Sequence, residues 1–165
     1  RITVPRLPLP VRLLVLLLAL APLVVEGYVA WRAGEEHLPP LTGTAAIPGT
    51  EARIAYPAGF TPEEQEGTVV LVGPGMALAA RGTTVPAGAT LEDLRGELSG
   101  AVEEVPAGGR TWLVERSAGV AQPGTVSWRA MALDGDRLLQ VELMAVQAAA
   151  ADAEPLLREV LAGVR

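Results

Sequence analysis

The hydrophobic positions of the chain follow two different patterns, and the change between them lies within its first quarter. From Val11 to Trp31 the only charged residues are Arg12 and Glu26, and the remainder is almost entirely apolar. A helix over this run would be about 28 Å long, close to the roughly 30 Å hydrocarbon core of a bilayer. The pattern predicts a single transmembrane helix over residues 13–32.

Two other interpretations of this run fit less well. In a secretory signal peptide, residues 1–12 would be the basic region and Ala19-Leu20-Ala21 would resemble the cleavage site. Pro22 would then occupy the first mature position, where proline is poorly tolerated. A buried core helix would need a polar stripe or packing partners within a small domain, and the run has no such stripe. We therefore expect a membrane anchor.

The charges that flank the run predict its orientation. Three arginines precede it within residues 1–12, whereas Arg32 and then two glutamates follow it. Because cytoplasmic flanks carry the excess of basic residues, the N-terminus is expected in the cytoplasm and the rest of the chain across the membrane. In a bacterium, this means a single pass through the cytoplasmic membrane and a periplasmic or extracellular domain.

Two groups of residues in and around the run are candidate contact sites. The first would face a neighbouring helix, since proline kinks a helix, small residues allow close packing and a carboxylate near the membrane surface can reach a partner. These candidates are Ala19, Pro22, Glu26 and Gly27. The second group would anchor the helix ends in the headgroup region. These candidates are Arg12, Tyr28, Trp31 and Arg32.

The remainder of the chain divides into a linker and a domain. Residues 1–12 form a Pro/Arg-rich cytoplasmic segment, residues 33–49 have the composition of a linker, and residues 50–165 show the patterns of a folded domain. Alternating apolar residues predict strands at 51–60, 68–73, 76–82, 110–119, 124–135 and 136–147. Helical spacing predicts helices over 90–105 and 152–165, capped by Thr90 and Asp152. The fold class is therefore predicted as α+β, an antiparallel-sheet sandwich of about six strands and two helices.

Two short polar segments are expected to be turns. The acidic stretch 61–67 lies between predicted strands, and Asp134-Gly135-Asp136 is a strong signal for a tight hairpin between the last two strands. Apolar residues that alternate along the last three strands are the core candidates: Trp112, Val114, Val126, Trp128, Ala130, Leu138, Val141 and Leu143.

Three features of residues 50–165 resemble the PsbP-like (Mog-type) domain. The first predicted strand ends in a YP-x-G-F turn, matched by Tyr56, Pro57, Gly59 and Phe60; the segment TLEDLRGEL and the closing EPLLREVLAGVR follow the family's pattern. The family's final "SF"-like residues are missing, and a membrane helix lies outside its usual pattern. The resemblance implies an α/β sandwich. It also implies an extrinsic accessory subunit or binding protein, as PsbP is on the donor side of a photosystem; few members are enzymes.

The composition excludes several kinds of chemistry. The net charge of −6 and the excess of acidic residues in the domain disfavour nucleic acid, which needs a basic face. Cysteine is absent, and the single histidine, His37, falls in the predicted linker. Ser99, Ser117 and Ser127 have no histidine partner in the domain, and adjacent carboxylates such as Glu103 and Glu104 would point apart. We expect no catalytic residue, no cofactor and no metal.

These features predict a non-catalytic accessory subunit of a bacterial membrane protein complex. Its partners would be other subunits of that complex and the lipid bilayer. An electron-transfer assembly, either a photosynthetic reaction centre with its light-harvesting proteins or a respiratory complex, is the host that the resemblance implies. The alternative is a membrane-tethered periplasmic module that binds a small ligand or peptide. A third and weaker alternative is a hydrolase without a recognisable motif.

Overall fold

The computed structural model describes residues 40–118 and 123–165. The predicted cytoplasmic segment, transmembrane helix and candidate contact residues, from Arg12 and Ala19 to Trp31 and Arg32, all lie outside these residues. Within the described residues, no helix combines the length and the apolar character that crossing a membrane requires.

The described part of the chain contains nine strands, two α-helices and one short 3₁₀ turn. The strands are β1 (Leu41–Ala46), β2 (Arg53–Pro57), β3 (Thr61–Gln65), β4 (Thr68–Gly73), β5 (Met76–Thr84), β6 (Val102–Ala107), β7 (Arg110–Ala118), β8 (Thr125–Asp134) and β9 (Arg137–Val146). The helices are α1 (Leu91–Arg95) and α2 (Ala150–Ala162), and the 3₁₀ turn Gln147–Ala149 leads into α2.

Seven strands form one antiparallel sheet in the order β3-β4-β5-β9-β8-β7-β6, and β1 pairs with β2 in a separate two-stranded sheet. Sheet neighbours are consecutive in sequence except for β5 and β9, which join a three-stranded block to a four-stranded one. This arrangement confirms the predicted antiparallel α+β domain with two helices. The structure has nine strands where about six were predicted, because the sequence patterns did not predict the short strands β1, β3 and β6.

Helix α2 covers one face of the large sheet. Its buried residues Leu156, Leu157, Val160 and Leu161 pack in the main core, together with inward-facing residues of β7, β8 and β9. The core candidates are confirmed: Trp112, Val126, Trp128, Ala130, Leu138, Val141 and Leu143 are buried, and Val114 packs against them half-buried. At the C-terminus, the backbone of Arg165 exchanges hydrogen bonds of 2.7 and 3.1 Å with Arg53, which fixes β2 beside the end of α2.

The prediction of a helix over 90–105 was wrong in its length. The capping box of Thr90 and Asp93 is present and starts α1 as predicted, but α1 ends at Arg95. Residues 102–107 instead form β6, which pairs with β7 along its full length. Gly96 and Gly100 weaken a longer helix, and the ladder to β7 satisfies the same backbone groups in an extended form.

Three further boundaries differ from the sequence patterns. Strand β1 lies inside the expected linker 33–49, where its alternation of half-buried and exposed residues is carried by small side chains. Strand β3 lies inside the expected turn 61–67, because an edge strand exposed along most of its length needs no apolar residues. Helix α2 begins at Ala150, so Asp152 lies in its first turn and is not the N-cap.

Candidate functional site

A groove runs between the first half of α2 and the strands β6, β7 and β8. It consists of two adjoining cavities of about 550 and 260 Å³, both of which reach Arg116 and Glu154. The first cavity is lined on the helix side by Gln147, Ala150, Ala151, Pro155 and Arg158. The second is lined on the sheet side by Ala101, Val102, Glu103, Val114 and Trp128.

The strand register brings Arg116 and Trp128 together. They are direct partners across β7 and β8, and they share the face that α2 covers. The guanidinium carbon of Arg116 lies 5.6 Å from the centre of the Trp128 ring, within the range of a cation–π contact. Trp128 is buried whereas Arg116 is exposed, so the indole forms the floor of the groove and the guanidinium lies over it.

Arg158 of α2 is held by two carboxylates at the wall of the groove. Its Nη2 atom donates to both Glu103 oxygens, at 2.9 and 3.1 Å, and lies 3.4 Å from a Glu154 oxygen. The hydrogen bond to Glu103 is the main reason why the pKa of Arg158 is raised above its ordinary value. This network connects α2 to the edge strand β6, although its exposure limits its contribution to stability.

The two large indoles of the core differ in their hydrogen bonding. The Nε1–H group of Trp112 donates to the carbonyl oxygen of Ala107 at 3.2 Å. The Nε1–H group of Trp128 has no hydrogen-bond partner among the residues that the structure describes, although the residue is only 2% exposed. A buried donor without a partner is uncommon and costs free energy, so an acceptor that reaches it would be stabilised.

The N-terminus of α2 opens into the same groove. Ala149 is the N-cap residue and makes no side-chain capping bond, and Ala150 and Ala151 line the larger cavity. The amide of Ala150 donates to the carbonyl oxygen of Gln147 in the preceding 3₁₀ turn, whereas the amides that follow it at a helix start lack intrahelical partners and carry partial positive charge. The groove therefore combines a guanidinium with a helix N-terminus, and the indole N–H of Trp128, unpaired among the described residues, is buried beside them. These groups favour an anion.

The opposite face of the sheet carries a row of charges instead of a groove. Glu115, Arg129 and Glu142 are direct neighbours across β7, β8 and β9. Arg129 Nε lies 3.8 Å from a Glu142 oxygen, and Glu115 accepts a hydrogen bond from the backbone amide of Ser99 at 3.0 Å. With its amide oxygen turned toward Arg129, Gln140 accepts two further hydrogen bonds at 3.1 and 3.2 Å.

Burial dominates the electrostatics of this row. It is the first cause that raises the pKa of Glu142 above its ordinary value, against the opposing effects of Arg129, Arg81 and Gln140. Burial likewise lowers the pKa of Arg81, against the attraction of Glu142. The raised pKa of Glu142 and the lowered pKa of Arg81 both mean that removing these charges from water costs more free energy than their pairing returns.

The candidate catalytic side chains have other roles in the described residues. Ser117 and Ser127 are direct cross-strand partners, while Ser99 contacts Glu115. Glu103 and Glu104 lie on opposite faces of β6, where they bind Arg158 and Arg95 respectively. In residues 40–118 and 123–165, no three His, Cys, Asp or Glu side chains lie close enough together to hold a metal ion. His37 lies outside these residues.

The groove residues were missing from the sequence-based candidates, except Trp128 and Val114, which were predicted as core. One signal for the groove does exist in the sequence. Along β7 the inward phase runs Trp112, Val114, Arg116, so a charged residue occupies a position that alternation assigns to the core side. The contributions of Glu154 and Arg158 left no such signal, because both lie on the polar side of an amphipathic helix.

Comparison with known proteins identifies the fold. No family model and no curated protein matches the chain. The solution structure of cyanobacterial PsbP (CyanoP) from Synechocystis sp. PCC 6803 matches with a TM-score of 0.58 at 12% identity, over 74% of this chain and 91% of that one. A crystal structure from Bacteroides thetaiotaomicron VPI-5482 matches with a TM-score of 0.59 at 16% identity, over 76% of this chain. The match spans 48% of the Bacteroides chain, about half of its length. The described domain therefore has a PsbP-like fold.

Proposed function

Starting from a PsbP-like fold, we propose that the chain is a non-catalytic accessory subunit of a bacterial membrane protein complex. The hydrophobic segment 13–32 holds it in the cytoplasmic membrane, and the domain lies against the outer face of its partners. The observation that carries the proposal is this fold behind a long hydrophobic segment. The match to cyanobacterial PsbP covers nearly all of that small protein, so it includes the whole domain and not a shared substructure.

The charge of the domain supports contact with protein over contact with lipid. Residues 44–165 contain 9 arginines and 16 acidic residues. Such a domain is repelled by anionic headgroups and attracted to basic protein surfaces. The edge strand β3 presents Glu63 and Glu64 to solvent, and the edge strand β6 presents Glu103 and Glu104. Acidic residues and proline on both edges also discourage pairing with a further strand.

The same likeness supports the choice of host complex. PsbP, which this domain resembles in fold, serves on the donor side of a photosystem, so an electron-transfer assembly is the proposed host. In this position the domain would stabilise the contacts of the complex and would carry out no chemistry itself. The kinked helix predicted around Pro22, with Ala19, Glu26 and Gly27, would supply the contacts within the membrane.

The proposal is tested by extracting membranes in mild detergent and separating the complexes on a native gel. The full chain should migrate with a large complex. A variant whose residues 13–32 are replaced by a leucine helix of equal length should remain in the membrane and lose the complex. Arg137→Gln, a change within the domain and distant in sequence from residues 13–32, serves as the control and should leave the migration unchanged. Migration of the native chain as a lone small species would contradict the proposal.

A second candidate function is a membrane-tethered module that binds a small ligand. The groove beside α2 favours it, because it joins two cavities with an exposed guanidinium and lies beside an indole N–H that has no partner among the described residues. The native gel separates the two functions, since a tethered binding module needs no stable complex.

A further inference from the structure

We propose that the groove between α2 and β6–β8 is a binding site for a small monocarboxylate with an apolar body. Arg116 and the N-terminal amides of α2 would receive the carboxylate, and the neighbouring small side chains would contact the body of the ligand. The site lies entirely within the domain, so its occupancy does not depend on the assembly of the chain into a complex.

Among the described residues, the charged side chains of the groove leave Arg116 without a carboxylate partner. Four ionised side chains line it: Arg116, Arg158, Glu103 and Glu154. Arg158 is engaged by both glutamates, whereas no carboxylate among the described residues lies within ion-pairing distance of Arg116. Because Arg158 engages both glutamates, a single negative charge can be accommodated beside Arg116. A dianion would meet the two glutamates and be disfavoured.

The hydrogen-bond donors point to the same ligand chemistry. Trp128 is almost fully buried, lines the smaller cavity and has an indole N–H without a partner in the described residues. The larger cavity adds the N-terminus of α2, whose N-cap residue, Ala149, makes no side-chain capping bond. Carboxylate oxygens accept from guanidinium, indole and backbone N–H groups alike, and charge-assisted bonds of this kind are the stronger ones. These three donors come from three different elements, β7, β8 and α2.

The remaining surface of the groove favours an apolar ligand body. Ala150, Ala151 and Pro155 line the helix side, and Ala101 and Val114 line the sheet side. These small side chains leave room and supply no polar group, and Gln147 is a further polar residue in the lining of the larger cavity. The larger cavity, about 550 Å³, falls in the range in which proteins bind small organic ligands, and the adjoining one adds about 260 Å³.

The test uses the full chain in detergent, labelled with ¹⁵N, and follows the indole N–H resonances by NMR. Benzoate is the carboxylate probe, benzamide is its neutral counterpart and phenyl phosphate is the dianion. Trp128→Phe identifies the Trp128 resonance by its disappearance. Benzoate should shift this resonance in a saturable manner and leave that of Trp112 in place. Benzamide and phenyl phosphate should bind at least about tenfold more weakly, a difference of about 1.4 kcal/mol.

Two arginine variants separate the site from a general charge effect. Arg116→Gln removes the available cation from an exposed position and should weaken benzoate binding at least about tenfold. Arg137→Gln removes an exposed arginine beside the β8–β9 turn, where it contacts Thr84, and should leave binding unchanged. The unperturbed spectrum of each variant verifies its fold. Equal binding of benzamide, tighter binding of phenyl phosphate, undiminished binding to Arg116→Gln or an unmoved Trp128 resonance would each overturn the assignment.

Discussion

The two faces of the large sheet are covered in opposite ways. On one face the 13-residue helix α2 packs against a continuous apolar core that includes Trp128, Val141 and Leu143. On the other face the five-residue helix α1 covers a separate, smaller cluster around Leu94 and Leu113, beside the charged row of Glu115, Arg129 and Glu142. The α2 face therefore supplies most of the packing energy of the domain. The α1 face instead holds charged side chains, at a cost in desolvation.

The groove lies at the margin of the apolar face. Toward the N-terminal end of α2 the helix side chains become small, at Ala150 and Ala151, and the sheet side chains become polar, at Arg116. The packing there leaves two cavities, and the indole N–H of Trp128 has no hydrogen-bond partner in the part of the chain that the structure describes. The same face therefore provides both the core of the domain and its candidate binding site.

The largest expected effect comes from a cavity on the α2 face. Leu161→Ala removes a fully buried side chain and should lower the free energy of unfolding by about 3 kcal/mol. The matched change on the other face, Leu91→Ala in α1, removes a half-buried side chain and should cost about 1 kcal/mol. Urea denaturation of the two variants measures the difference. Equal losses would contradict the unequal contribution of the two faces.

The next effect tests the charged row. Arg129→Met should lower the free energy of unfolding by about 2 kcal/mol, because Glu142 stays largely buried after losing its cross-strand partner. The double variant Arg129→Met with Glu142→Leu should recover to within about 1 kcal/mol of the native chain. A double-mutant cycle in urea gives the coupling. Additive losses would mean that the two side chains are not coupled, which would contradict the prediction.

A smaller effect is expected at the start of α1. Thr90 caps the helix and Asp93 bonds back to the Thr90 amide at 2.8 Å, so Thr90→Ala should cost about 1 kcal/mol. These bonds are also the leading reason why the pKa of Asp93 is lowered. Thr61→Ala, at another exposed threonine, is the control and should have a negligible effect on the urea midpoint. A cap without measurable effect would show that packing of Leu94 alone holds α1.

The smallest effect concerns the pH dependence of stability. Because the pKa of Glu142 is raised above its ordinary value of 4.5, the folded state binds this proton more tightly than the unfolded state. The group's contribution to the free energy of unfolding therefore falls as pH rises from 4.5 through the folded pKa. Native chain and Glu142→Gln are compared by urea denaturation at several pH values, and the native chain should lose stability relative to the variant across this range. A relative gain would reverse the assigned direction.

Local patterns predicted the parts of the fold that depend on neighbouring residues. The strands of the terminal meander, the hairpin at Gly135, the cap at Thr90 and the amphipathic α2 each follow from alternation, turn chemistry or helical spacing within a short segment. The short strands β1 and β3 did not, since small side chains in one and an exposed edge in the other give no apolar alternation. The start of β6 was predicted as part of a helix, because the apolar residues before it recur at helical spacing.

The sequence by itself determined the antiparallel domain, its PsbP-like character, its core residues and its acidic balance. Each of these depends on the pattern of neighbouring residues or on the composition of the chain. Only the tertiary structure decided which charged residues meet. Arg158 joins Glu103 from 55 positions away, and the register of three strands aligns Glu115, Arg129 and Glu142. Arg116 and Trp128 come together by the same register. Such contacts depend on strand pairing between distant segments, which no local pattern encodes, and the candidate site consists of them.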